Sequence, residues 1–120
     1  RLGEAYLIYA EATLRGGGGS TATAIQYINQ LRQRAYGSTA GNVTSINLDF
    51  VLDERARELA WEATRRSDLI RFGKFTSGSY LWPFKGGIKN GKAVEDFRTL
   101  YPIPDTDLNA NPNLVQNPGY

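Results

Sequence analysis

The first half of the chain carries helical runs separated by glycine breaks, and this pattern limits its folds more than any other feature. From Arg1 to Arg15, Leu2, Ala5, Tyr6, Tyr9 and Ala12 recur at three- and four-residue steps, the spacing of one helix face. Gly16 to Gly19 end that run. Ser20 and Thr21 can cap a second one, in which Ala24, Ile25, Ile28, Leu31 and Ala35 repeat the pattern as far as Gly37. Two such runs joined by a short connector predict an αα-hairpin. After a Ser/Thr/Gly/Asn-rich stretch from Gly37 to Asn47, a third helix is expected from Asn47, a good cap, to about Arg66. Asp68 is placed to cap a last turn through Phe72, and Gly73 suits the position just past its end. The GGGGS at Gly16 to Ser20 lacks the Gly-Lys-Ser/Thr that would make it a phosphate cradle, so it reads as a flexible connector.

Composition narrows the chemistry. The chain has 120 residues, enough for one small core. No apolar run approaches the roughly 20 residues that span a bilayer. A net charge of +2 is too small and too dispersed for a nucleic-acid footprint. There is no Cys, which excludes disulfides, thiolate zinc sites and a Cys nucleophile, and no His, the commonest general base and metal ligand. Neither a cofactor nor a metal is expected. The chain opens on Arg1 in mid-helix, without Met, and an N-terminal part is expected to be missing.

The third helix concentrates the charge, in DERARELAWEATRRSDLIRFGKF. Stepping about 100° per residue, Leu52, Ala56, Leu59 and Ala63 share one sector, while Phe50 and Trp61 fall nearly opposite. The helix is therefore expected to be sandwiched, with its charges in the seams. One seam holds Arg55, Glu58, Glu62 and Arg66, with Arg65 over Glu58 two turns on. As an acid/base pair, Glu58 and Glu62 would need one pKa raised, and flanking arginines do the opposite. As a nucleic-acid reader, Arg55, Arg65, Arg66 and Arg71 are cancelled by the interleaved acids. The remaining reading is a structural ion-pair network of Arg55, Glu58, Glu62, Arg65 and Arg66.

The texture changes at Lys74. Residues 74–98 form a glycine- and aromatic-rich loop, and residues 99–120 an extended, turn-rich tail punctuated by Pro102, Pro104 and two Asn-Pro steps. Two readings fit Tyr80, Trp82 and Phe84. They fill a local core under the loop, or they offer flat faces to the C–H groups of a sugar, with Lys85, Lys89 and Asn90 as polar neighbours.

At this point the residues carry a resemblance. ERARELAWEATRRSDLIRFGKF resembles the signature segment of the SusD/RagB family, glycan-binding outer-membrane lipoproteins of Bacteroidetes. RLGEAYLIYAEA, AIQYINQLRQRA and LYPIPDTDLNANPNLVQNPGY agree in order and spacing, so the likeness covers nearly the whole chain, as the C-terminal region of such a protein. Family members often carry Gly where Ala63 stands, and an aromatic or His where Thr64 stands. The resemblance implies a mostly α fold: a tetratricopeptide-like helical hairpin plus a third helix (1–73), then the aromatic loop (74–98) and the tail (99–120). It also implies a non-enzymatic surface protein of the outer membrane, held by an N-terminal lipid anchor outside this chain. Such a protein binds oligosaccharides and passes them to a SusC-like TonB-dependent transporter. The rival from another class is a tetratricopeptide-type scaffold that binds protein segments. The resemblance transfers no binding residue, so Tyr80, Trp82 and Phe84 rest on the loop chemistry alone.

Overall fold

The structure is a computed structural model that describes residues 1–120. All regular structure is helical: α1 (Leu2–Leu14), α2 (Thr21–Tyr36), α3 (Leu48–Glu58), α4 (Arg65–Arg71) and α5 (Asp105–Ala110), with single 3₁₀ turns between. The chain forms two compact units, Arg1–Asp68 and Leu69–Tyr120.

In the first unit, α1 and α2 make the expected hairpin, and α3 packs against it. Leu7 and Ala10 from α1, Ala24, Ile28 and Leu31 from α2, and Val51 from α3 form the buried core, joined by Leu59 just beyond α3. Tyr27 stacks on Tyr6 with centroids 4.3 Å apart and meets Tyr9 edge-on at 5.2 Å, fastening the hairpin along its flank. Ser20 caps α2 through the Thr23 amide, and Asn47 caps α3, accepting from Phe50 N at 2.8 Å.

The glycine connector is not a flexible tether. Gly16 N donates to Thr13 O at 3.1 Å and Gly17 N to Ala12 O at 2.8 Å, with Gly16 at a φ of 89°. This is the Schellman ending of α1, which needs a left-handed residue at that position. A Cβ on Gly19 would meet Thr13 Oγ1 at 2.2 Å, and Ser20 N donates to the Tyr9 hydroxyl. The loop folds back onto the helix it leaves.

The third helix stops eight residues short of Arg66. It ends at Glu58, and the chain turns through Trp61 at a φ of 66° and Ala63 at 59° before α4 begins. Trp61 is therefore fully exposed, not packed against a second layer, and Ala63 is exposed as well. The break has a cause. Asp68, almost wholly buried, accepts from Arg55 Nε at 2.8 Å, and Arg65 Nη1 donates to Leu52 O at 2.9 Å. On one continuous helix, residues 55 and 68 would lie about 20 Å apart along the axis. Asp68 is thus a buried ligand for Arg55, not the cap of a last turn.

The charges also pair differently from the i, i+4 seam expected on one helix. Glu58 takes Arg34 Nη2 at 2.6 Å and Arg1 Nη1 at 3.0 Å, so it joins the ends of three helices. Those two cations also offset an acid at a helix C-terminus, where the dipole disfavours it. Glu62 pairs with Arg1, Arg65 lies 3.9 Å from Asp53, and Glu54 takes Arg32 and Arg57 at 2.8 and 2.7 Å. A Cβ on Gly3 would lie 2.6 Å from Glu58 Oε1, so this clamp needs glycine in α1. Arg66 is half-buried, between the exposed and enclosed ends of the set.

In the second unit, Gly73 N donates to Ile70 O and Lys74 N to Leu69 O, the same Schellman ending, with Gly73 at a φ of 66°. The tail is tied to itself by side chains. The Gln116 amide both donates to Ile103 O and accepts from Ile103 N at 2.8 Å, standing in for a strand partner, and the Tyr120 hydroxyl donates to Leu100 O. Within it, α5 was not expected; Pro104 just ahead of it and Asp105 and Asp107 in its first turn are the start signals.

Candidate functional site

Lys85 organises the aromatic loop. Its ammonium donates to Lys74 O at 3.1 Å, Tyr80 O at 2.8 Å and Ser77 O, and sits 4.5 Å from the Trp82 ring centroid. Burial pushes its pKa down. All three ammonium protons are thus committed to backbone carbonyls, so Lys85 cannot serve a ligand as expected from the sequence. It is instead the pin that curls residues 74–85 into a turn.

Around that pin, the sequence-identified rings separate. Trp82 lies 6.5 Å from Tyr80 and 6.3 Å from Phe75, both tilted, so these three form one cluster. Phe84 stands apart, 70% exposed and at a left-handed φ of 66°. Two backbone bonds, Val94 N to Thr76 O at 3.0 Å and Lys92 N to Lys85 O at 3.1 Å, bring residues 92–98 back across the loop. Gly91 permits this return: a Cβ there would lie 2.5 Å from Trp82 O.

The result is a cleft of about 550 Å³ whose lining includes Phe75, Trp82, Lys92, Val94, Glu95 and Arg98. Tyr80 and Phe84 are not in its wall. Arg98 Nε donates to Glu95 Oε2 at 2.9 Å, and this bond, with a hydrogen bond from Glu95's own backbone amide and the charges of Arg98 and Lys92, holds the Glu95 carboxyl below the usual carboxylate range. Arg98 also lies over the Phe97 ring at 5.1 Å. The cleft thus joins an aromatic wall to an ionised acceptor and a planar donor. Of the residues in the cleft wall, the sequence analysis named Trp82 but not Glu95, Arg98 or Lys92. An E-x-x-R pair was visible, but nothing local says that it faces Trp82. No helix is long and apolar enough to cross a membrane.

The whole chain, residues 1–120, matches the SusD family. It is 48% identical over 120 residues to the starch-binding protein SusD of Bacteroides thetaiotaomicron, covering 100% of this chain and 21% of that protein. It is 33% identical over 122 residues to SusD-like protein P25 of Formosa agariphila, covering 98% of this chain and 23% of that one. Among solved structures, it is similar to surface glycan-binding protein A from Bacteroides uniformis, with a TM-score of 0.74, 31% identity, and coverage of 96% of this chain and 26% of that one. The corresponding protein from Bacteroides thetaiotaomicron, solved in complex with laminarihexaose, gives a TM-score of 0.71 at 34% identity over 96% of this chain and 23% of that chain. The chain therefore spans about a quarter of the length of these relatives or less. A match over its full length, with the fold reproduced at these identities, places the chain in the SusD family.

Proposed function

We propose that the protein carrying this chain captures oligosaccharides at the outer-membrane surface without cleaving them and hands them to a SusC-like TonB-dependent transporter. The 48% identity to a starch-binding protein carries this reading, and the likeness to a fold solved with laminarihexaose supports it. A non-catalytic role agrees with the acids. Glu58 is clamped by Arg1 and Arg34, and Glu62 is held by Arg1, so both acids are engaged in ion pairs with arginines. Membrane attachment would come from a lipid anchor preceding this chain. Within the chain, the Tyr80–Phe84 loop is the sugar-contacting segment, with Trp82 as its centre and Tyr80 and Phe84 as flanking rings.

Calorimetry of the full-length protein against maltoheptaose and laminarihexaose tests binding, a reducing-sugar assay tests cleavage, and co-purification with a TonB-dependent barrel tests delivery. Trp82→Ala is expected to weaken binding by about 1–2 kcal/mol while the helical circular dichroism persists. Unchanged affinity would remove the loop from the site. Co-purification with soluble proteins in place of a barrel would favour the tetratricopeptide-type scaffold.

A further inference from the structure

Helix α1 is turned the wrong way round for a surface helix. Its buried face, Gly3, Leu7, Ala10 and Glu11, includes one of its two acids, whereas Leu2, Ala5, Ile8 and Ala12 lie in solvent on the opposite side. Leu2 is 66% and Ile8 53% exposed, against 6% for Glu11. Three of the five residues whose spacing announces this helix, Leu2, Ala5 and Ala12, therefore face away from the core of the unit. A solvated helix carries its polar residues on the outer face, and one that is apolar on both sides is an interior helix. The outer residues run Arg1, Ala5, Ile8, Ala12, Arg15 in steps of four and three, the seam that receives a second helix. An alanine on either side of Ile8 lets another backbone approach closely. Both flanking arginines are already engaged, Arg1 with Glu58 and Glu62, and Arg15 with Glu11 at 2.9 Å. Neither is left to steer a separate partner.

Size points the same way. Thirteen residues make a helix about 20 Å long, and its outer strip covers on the order of 200 Å². A stable complex between separate molecules buries about 800 Å² on each. A segment of the same polypeptide loses little translational freedom on docking, so a narrow strip suffices for it. The 120 residues amount to only 21% of one matched relative and 26% of another, so most of such a protein lies outside them.

We infer that the outer face of α1 is an intramolecular docking surface, covered in the full-length protein by an amphipathic helix from the part of the polypeptide outside these 120 residues. Thiol labelling of the full-length protein reports the cover, because this chain has no cysteine of its own and labelling of the unsubstituted protein can be subtracted. Ala5→Cys, Ile8→Cys and Ala12→Cys are each expected to react with a maleimide at least about a hundredfold more slowly in buffer than in urea, at every protein concentration. The two alanine variants add only a sulfur, so a fold lost through Ile8→Cys still leaves two reporters. Equal rates in buffer and urea would show an open face and overturn the docking surface. Protection that grows with protein concentration would put a second copy there, and protection that appears only with a transporter barrel would put a separate partner there; either result overturns the intramolecular occupant. Photo-cross-linking then identifies what lies on the strip. With p-benzoylphenylalanine in place of Leu2, at the exposed end of the strip, irradiation is expected to give a product of monomer mass whose second peptide comes from outside the 120 residues. Cross-links confined to these 120 residues, or a product of dimer mass, would sink the assignment.

Discussion

Arg55 and Asp68 show how much one buried pair decides. Both side chains are almost fully enclosed, 2.8 Å apart, and their contact exists only because the chain turns between them. Removing one partner leaves the other charged and buried, which costs roughly 3–5 kcal/mol. Asp68→Ala is expected to lower the thermal midpoint sharply, whereas Glu62→Ala, which removes a 40%-exposed acid, is expected to cost less than about 1 kcal/mol. Equal losses in the two variants would mean that burial does not set the energetics of this network. The sequence made the presence of an ion-pair network legible, but not its partners. Spacing on a wheel finds neighbours on one helix; it has no access to Arg1, Arg34 or Arg32, which arrive from other helices.

At the scale of elements, α1, α2 and the start of α3 were readable because their periodicity and caps agree with the packing. The end of α3 was not. Residues 59–64 contain no Gly or Pro, so local propensity favours continuation, and tertiary bonds through Asp68 and Arg65 override it. The override leaves a trace in the backbone: Ala63 holds a φ of 59°, where a Cβ costs about 1–2 kcal/mol. The glycine that the family resemblance places here fits that conformation. Ala63→Gly gives up part of this gain to the freer unfolded chain, so a net stabilisation of about 0.5–1 kcal/mol is expected, read as a melting temperature a few degrees higher. A lower melting temperature would show that the left-handed turn is not the strained point.

For the whole molecule, what could be read from sequence was the class and one residue of the cleft wall. Apolar spacing announces an α-helical scaffold, and a tryptophan in a long loop announces a contact surface. The cleft itself depends on residues 92–98 returning over Trp82, which is set by the Lys85 pin and by Gly91, and no periodicity encodes either. The opposite circumstances of the two tryptophans have an optical consequence. Trp61 already lies in water at a turn of the first unit, so its emission is red-shifted and barely changes when that unit unfolds. Trp82, half-buried against an ammonium group, is the only other indole in the chain, so nearly all the change in intrinsic fluorescence on denaturation comes from the second unit. Far-ultraviolet dichroism, by contrast, is dominated by α1 to α3 in the first. Urea titration of the isolated chain followed at both wavelengths is expected to give separate curves for the two units, and in a Trp61→Phe background the fluorescence curve is expected to keep its midpoint. A fluorescence transition that vanishes in that background would show that Trp82 is not the reporter. One chain thus carries its own two-channel readout, with dichroism reporting the scaffold and a single indole reporting the aromatic loop.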